Sequence, residues 1–390
     1  MGPLNGLKVL DLTRVLSGPY ATMVLADFGA NIIKIEPPKV GDDSRAFGPF
    51  VGQESAYYMS LNRNKRSMCL DFKNEKHKDV FRKLVSKVDM VVENYRPGTM
   101  EKFGLGYEEL KKINPQLIYV ACSGFGRSGP YARKPAYDVV VQAMGGIMSI
   151  TGSENGEPTR VGASIGDIVA GIFSVIGALL ALIHKQKTGE GQLVDVSMMD
   201  CQVAILENAV ARYVTTGIIP KPLGNRHPSI TPFCSFTAKD GSIIVGAGND
   251  RLWVKLCNIL NRPDLLVDER FASNPLRTNN VAALHQILNE ELQKETVAEW
   301  MEKLEGAGVP CAPINNVKNL IEDPQLKERE MFVEVEHPIA GKLKMPGIPI
   351  KMSVTPGEIK TPAPILNHDL YSILYDLMGW NQNTVDENLN

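Results

Sequence analysis

Asp167 is the residue of this sequence best placed to do chemistry. It stands in Val161-Gly-Ala-Ser-Ile-Gly-Asp-Ile-Val-Ala-Gly171, a nearly uncharged run that opens the longest apolar stretch of the chain, Ile168–Ile183. A carboxylate in such surroundings can cap a helix, because Asp favours the N-cap and the helix dipole stabilises its charge. It can also act as a nucleophile that forms covalent acyl intermediates. Capping is the default by composition, and the two roles are compatible. Glycines at 162, 166 and 171 would let a ligand or a neighbouring backbone approach closely.

Two basic runs, Asn62-Arg-Asn-Lys-Arg-Ser67 and Glu93-Asn-Tyr-Arg-Pro-Gly98, combine cations with hydrogen-bonding groups beside predicted strand ends. A phosphate-bearing anion requires that combination; a solvated charged loop is the ordinary alternative. Gly124, Gly126 and Gly129 form a literal G-x-G-x-x-G after a predicted strand. Pro130 and Pro135 then occupy the place of the helix N-terminus that would receive a pyrophosphate, which argues against a dinucleotide. The phosphate-cradling G-x-x-x-x-G-K-[ST] loop is absent, and no H-E-x-x-H, paired-His or acidic metal-loop spacing occurs. The six cysteines (Cys69, Cys122, Cys201, Cys234, Cys257, Cys311) are scattered, which argues against a disulfide framework or a zinc site and for a reducing compartment.

The elements that must position these groups follow from apolar periodicity. Leu7–Leu12, Asn31–Glu36, Met90–Glu93 and Gln116–Cys122 read as strands, with helices at Ala21–Phe28 and His77–Ser86. Continuous apolar strands alternating with helices imply an α/β fold whose mostly parallel sheet is covered on both faces. Ile168–Ile183 is shorter than the ~20 residues that cross a bilayer and predicts a helix buried on all sides. Between Asn225 and Gly308 the texture changes: Gly241–Ala247 predicts a strand, and helices rich in Leu and Glu follow from Trp253 to Leu304. Thr216–Ser229, rich in Pro, Gly and Lys, suits a linker. After Pro310 strands and prolines return, ending in a predicted helix at His368–Met378.

At roughly 150 residues per domain, 390 residues give about two to three domains. Apolar residues at 44% and a mean hydropathy of -0.10 exclude a disordered or fibrous chain. Forty-two basic against forty-four acidic side chains leave a net charge of -2, too balanced for a protein built to neutralise nucleic-acid phosphates. No export signal is legible, so the expected location is cytoplasmic, or the mitochondrial matrix if a transit peptide has been removed.

In their order along the chain, these motifs resemble the class III CoA-transferases. The resemblance runs through Gly6–Pro19, Gly29–Pro37 with Gly41-Asp42, Asn62–Ser67, Val92–Gly98, Gly124–Pro130 and Gly162–Gly171. Lys187-Thr-Gly-Glu-Gly-Gln192 and Gly308–Asn315 complete it. It implies that Asp167 is the nucleophile, attacking an acyl-CoA thioester to give an aspartyl-acyl anhydride and then an aspartyl-CoA thioester. It assigns the CoA adenine and phosphates to Val15, Leu16, Asn94, Tyr95, Arg96, Lys102 and Phe103, helped by Lys65 and Arg66. Tyr137 and Asp138 would border the thioester, and Gly246 and Gly248 would belong to a lid loop, Gly246–Asn249. Coenzyme A enters as a substrate, with no tightly bound cofactor, metal, nucleic acid or membrane.

The same resemblance implies an interlocked homodimer. A Rossmann-like large domain would be built from residues 1–215 and 310–390, with a linker at 216–229 and a small domain at 230–309. Several motifs are similar to succinyl-CoA-using dicarboxylate members, so succinyl-CoA is the expected donor and a dicarboxylate the acceptor. Arg14, Arg45 and Arg160 are candidates to meet the acceptor's distal carboxylate. Two alternatives stay open: a racemase-type isomerase, and a CoA-binding protein without turnover. The racemase branch carries His-Asp where this chain has Tyr137-Asp138, and a phenol with an ordinary pKa near ~10 is a poor proton acceptor at neutral pH.

Overall fold

Apolar residues run without a break through Val9–Leu10, Ile32–Ile33, Val91–Val92 and Ile118–Val120, and each pair or triplet lies in a strand buried on both faces. In a computed structural model describing residues 2–389, these strands form one six-stranded parallel sheet. Its order is Lys65–Cys69, Asn31–Glu36, Lys8–Asp11, Met90–Glu93, Ile118–Ser123, Leu193–Ser197. One face carries Leu10, Ile33, Phe81 and Leu84, closed by Ile373 and Leu374 from the C-terminal helix Leu370–Met378. The other carries Val9, Ile32 and Val120 against Leu25, Ala178 and Ala181. From Lys8–Asp11 the chain turns to Asn31–Glu36 on one side, and later returns to Met90–Glu93 on the other. The loops after these strands diverge, which opens a crevice at the carboxyl ends of the two.

The Lys65–Cys69 strand corrects the reading of Asn62–Ser67 as a ligand-facing loop. Lys-Arg-Ser-Met-Cys has no strand-like appearance, yet it pairs with Asn31–Glu36 and buries Lys65, Ser67 and Met68. The Lys65 ammonium reaches Asp11 Oδ2 at 3.0 Å, the Pro19 carbonyl at 3.1 Å and Asn62 Oδ1 at 2.8 Å. Every donor of this ammonium is engaged inside the protein.

Ile165–Thr188 is a 24-residue helix, long and apolar enough by composition alone to cross a membrane. It is not buried on all sides. Its small residues Gly166, Ala170, Gly171, Ser174, Ala178 and Ala181 face the sheet and the Ser17–Asp27 helix, while Ile172, Phe173, Ile176, Leu180 and Ile183 are exposed, Leu180 at 63%.

The sheet and its helices form one unit, Met1–Met148, Arg160–Thr216 and Pro324–Asn390; its outermost residues, Met1 and Asn390, lie outside the described residues. A second unit comprises Ser149–Thr159 and Gly217–Asp323. There an antiparallel sheet, Cys311–Pro313, Ser242–Gly246 and Phe233–Thr237, packs with Trp253, Leu256, Leu288 and Trp300. Its limits differ from the expected 230–309. Residues 217–229 of the expected linker are part of it, with Arg226 paired to Glu154 and Gly224 N–H bonded to the Gly152 carbonyl, and the segment continues to Asp323.

Removing the Lys65 ammonium would leave Asp11 buried without its partner, a change that costs about 3–5 kcal/mol when one member of a buried pair is deleted. Lys65→Ala is therefore expected to lower the unfolding free energy from urea denaturation by that amount; a stability equal to that of the parent would show that the pair is not the buried contact described.

Candidate active site

The crevice becomes a cavity of about 650 Å³ lined by Arg14–Ser17, Gly41–Asp43, Asn94–Pro97, Ser123-Gly124, Tyr137 and Asp167, among others. Its walls are set by charges buried beneath them. Asp11 accepts from Thr13 N–H at 2.9 Å, from the Thr13 and Thr22 hydroxyls, and from Lys65. Lys34 lies between the Asp42 carboxylate at 2.8 Å and the Thr13 carbonyl at 2.7 Å. Asp42 also accepts from Val15 N–H at 3.0 Å, and so ties one wall to the other. Burial alone would raise the Asp42 pKa, but Lys34 outweighs it and holds the carboxyl well below its usual range. Burial wins at Lys65, where the ammonium is pushed down to about 8 despite Asp11.

Asp167 is the third residue of its helix, after Ile165 and Gly166, and not its N-cap; Ser164 holds that position without a side-chain cap bond. The Asp167 carboxyl instead sits near Ser17, the first residue of the Ser17–Asp27 helix, whose N–H and hydroxyl favour its charged form. The N-termini of two helices thus converge on one carboxylate, and both dipoles favour its charge. Burial opposes them, Asp138 adds like-charge repulsion, and the carboxyl is pushed up to about 6.

Two of the three glycines are explained by this packing. A Cβ at Gly166 would meet Val141 Cγ2 at 2.7 Å and Asp138 Oδ1 at 2.9 Å, and one at Gly171 would meet the Ser17 carbonyl at 2.7 Å. Gly162 has open space around it. Asp138 braces the helix start: its Oδ1 accepts from Gly166 N–H at 2.8 Å and its Oδ2 from Gln142 Nε2 at 2.7 Å, with Arg160 3.6 Å away.

Of the residues expected to touch CoA, Val15, Leu16, Asn94, Tyr95, Arg96 and Tyr137 line this cavity together with Asp167. The others lie elsewhere. Lys65 is consumed by Asp11, Arg66 pairs with Asp376 at 2.6 Å on the sheet edge, and Phe103 packs among the core aromatics beside Phe72. Lys102 is exposed at the end of the short Thr99–Lys102 helix, and Asp138 is turned toward Gly166. Gly246 and Gly248 belong to the second unit and are no free loop. Gly246 N–H bonds the Pro310 carbonyl, Ala247 N–H bonds Pro232, and Gly248 abuts Ile230 so closely that a Cβ would lie 1.9 Å away.

Among the three candidate arginines, Arg45 is locked to Glu36 at 2.7 Å and stacks over Tyr58, Arg160 lies beside Asp138, and only Arg14 lines the cavity, paired with Asp43. Sequence reasoning missed Ser17, Lys134, Phe47 and Tyr57. The first three line the cavity. Tyr57 packs edge-on against Phe47, and its phenol is pushed up to about 12 by burial and the nearby Asp167. The signal for Ser17 was a helix start directly after the first strand's loop; Tyr57 had none. Among the described residues no histidine lines the cavity.

Residues 4–370 match the profile of CoA-transferase family III. A human succinyl-CoA:glutarate CoA-transferase is 40% identical over 99% of this chain and 88% of its own length. An acetyl-CoA:oxalate CoA-transferase of Acetobacter aceti is 44% identical over 90% of each. A crystal structure of a CaiB/BaiF family protein from Brucella suis superposes with a TM-score of 0.86 at 39% identity, covering 96% of this chain and 99% of that one. With a desolvated carboxylate on the wall of a switch-point cavity and relatives of this closeness along nearly its whole length, the chain is a CoA-transferase and belongs to CoA-transferase family III.

Proposed function

We propose that the protein moves coenzyme A from succinyl-CoA to a small dicarboxylate, with Asp167 as the covalent carrier. The observation behind it is the Asp167 carboxylate itself, held on the cavity wall and partly stripped of water. The relatives named for glutarate and oxalate both take small dicarboxylates, and Arg14 offers a cation in the cavity for a distal carboxylate.

The chemistry balances without an external energy source, because one thioester is exchanged for another. The ionised Asp167 oxygen adds to the succinyl thioester carbonyl; the C–S bond breaks, leaving CoA thiolate and a mixed anhydride. The thiolate attacks the aspartyl carbonyl and expels succinate, which leaves Asp167 as a CoA thioester. The acceptor carboxylate attacks that thioester and releases thiolate, and thiolate then takes the acceptor acyl group from the new anhydride and frees Asp167. No proton is gained or lost overall. Splitting the exchange in this way lowers each barrier, provided water stays out of the anhydride stages.

Racemisation needs two groups to remove and return an α-proton. The only ring-bearing residue at the corresponding place is Tyr137, 75% exposed, which favours transfer.

The exposed apolar residues of the nucleophile helix support a homodimer in which a second copy covers Ile172, Ile176 and Leu180. Ile176→Glu is expected to shift the protein toward monomer in analytical ultracentrifugation and to reduce transfer in parallel. An Ile176→Glu protein still dimeric at the parent's concentration dependence would remove that face from the interface.

Asp167→Ala is expected to lower transfer by at least roughly 10³-fold, as for loss of a covalent nucleophile, while CoA affinity measured by calorimetry stays within a few-fold. Turnover comparable to the parent would dismiss the covalent route. Since only the ionised carboxylate attacks, kcat/KM for the donor should rise through one deprotonation near pH 6 and fall below it.

The same shift carries a stability signature. A carboxyl that titrates higher in the folded state than in the unfolded one stabilises the fold only while protonated, so that contribution is complete below the unfolded pKa and lost as pH rises through about 6. Asp167→Asn should therefore raise the unfolding free energy measured in urea at pH 8 by an amount on the order of 2 kcal/mol and leave it nearly unchanged at pH 4. An equal effect at both pH values would contradict the assignment of the raised pKa to Asp167.

A further inference from the structure

The Gly124–Pro130 run leaves the Ile118–Ser123 strand and enters no helix before Asp138–Met144. Gly126 takes a φ of 77°, a left-handed backbone that glycine adopts without strain. Arg127 follows it and reaches across the end of the sheet. Its N–H donates to Asp195 Oδ2 at 3.0 Å, on the Leu193–Ser197 strand to one side. Its guanidinium goes to the other side, with Nη1 3.4 Å from Glu93 Oε1 and Nη2 donating to Glu101 Oε1. A planar guanidinium can serve two separate acceptors from one fixed fork, a geometry that an ammonium lacks.

The two glutamates bracket one wall of the cavity. Asn94, Tyr95, Arg96 and Pro97 line it, Glu93 stands directly before them, and Glu101 lies in the Thr99–Lys102 helix that follows. Inside this loop Glu93 Oε2 accepts from the Tyr95 N–H at 2.7 Å, and the Arg96 carbonyl accepts from the Thr99 N–H at 3.0 Å. Asn94 ties the loop to the opposite wall: its Oδ1 accepts from the Arg14 N–H at 2.9 Å, and its Nδ2 donates to the Arg14 carbonyl at 2.8 Å. Arg127 is no part of the cavity wall. It acts on the wall by gripping the chain on both sides of it.

We propose that Arg127 is a positioning residue for the coenzyme A site: by holding Glu93 and Glu101 on one guanidinium, it keeps the Asn94–Pro97 loop in the shape that receives a CoA ester. This rests on the assignment of that loop to CoA. The Gly124–Pro130 glycines then serve to bring an arginine back over a neighbouring strand end, and no pyrophosphate is needed to account for them. Glu93 is 2% exposed, and burial pushes its carboxyl up to about 8 although the Tyr95 N–H and Arg127 favour its charge. Without Arg127 it can take up a proton instead of standing as an unpaired buried charge, so a variant lacking the guanidinium has a route to the folded state.

The test is calorimetric titration of the full-length protein with coenzyme A, for Arg127→Met, Glu101→Gln and the two combined. Exchange of labelled succinate into succinyl-CoA, which needs no second acceptor, supplies KM and kcat. Arg127→Met should weaken CoA about tenfold, the cost of ordering a loop that is no longer preorganised. KM for succinyl-CoA should rise in step, with kcat within a few-fold of the parent, and amide hydrogen exchange over residues 94–98 should quicken. Glu101→Gln should weaken CoA by about threefold, as for loss of an exposed ion pair, and should add nothing on top of Arg127→Met. Glu101 is exposed, so its variant decides the matter if Arg127→Met unfolds. Parental CoA affinity in Arg127→Met, or in Glu101→Gln where that variant has to decide, would overturn the proposal by making Arg127 mere support for the fold; so would losses that add in the combined variant. Arg96→Ala separates this from failure of the underlying reading. If it too leaves CoA affinity at the parental value, the loop is not the CoA site; if it weakens CoA while Arg127→Met does not, only the role of Arg127 falls.

Discussion

The cleft depends on a set of charges taken out of water beneath it. Asp11, Lys34, Glu36, Asp42 and Lys65 are all at most 3% exposed, and they lie under the loops that carry Val15, Leu16 and Gly41. Such a network is a poor source of net stability, because desolvation offsets most of the Coulombic gain. What it provides here is geometry. Each carboxylate is satisfied by partners from separate strands or loops: Asp42 by Lys34 and Val15, Glu36 by Arg45 and Ser67, Asp11 by Lys65 and Thr22. A loop that drifted away would strand a buried charge. That penalty keeps the crevice mouth in one shape without a ligand present.

Asp167 is treated differently by the same fold. Among the described residues it has no ion-pair partner, and what favours its charge is the N–H and hydroxyl of Ser17 nearby. A salt bridge would have lowered its pKa and also its reactivity, since a carboxylate held by a cation is a weaker nucleophile. Two helix N-termini give partial positive charge without an ammonium or a guanidinium in the way. The glycine at 171 is the cost of bringing those two helices together, and it is why a small-residue stripe runs along an otherwise strongly apolar helix.

How much of this was legible in the sequence depended on whether the signal was local. The strands Asn31–Glu36 and Met90–Glu93 read at their observed bounds because uninterrupted apolar runs have little other use. Asp167 was legible because a charge in a glycine-rich apolar run is conspicuous. Lys65 was misread because its neighbours Arg63 and Arg66 make a basic run, and the period that buries positions 65, 67 and 68 is set by pairing with a strand some thirty residues earlier. Arg45 misled in the same way; its guanidinium serves Glu36 and the Pro364 carbonyl, a partner 319 residues away. The exposed face of the Ile165–Thr188 helix was illegible for a simpler reason. Composition reports that residues are apolar, and it cannot report whether the rest of the chain covers them.

That uncovered face bears on the chemistry. An acyl anhydride is open to hydrolysis as well as to thiolate attack, so a transferase gains by keeping water away from it. A cavity of about 650 Å³ whose wall includes the half-exposed Arg14 and the 75%-exposed Tyr137 is a binding cleft and not a sealed reaction chamber. The nucleophile sits at the head of the helix whose apolar side chains remain bare along its length. Covering that helix would remove water from its surroundings at the same time as it buried Ile172, Phe173 and Ile176. Whatever covered that face would gain the free energy of transferring a single apolar stripe out of solvent and shield the head of the helix by the same contact.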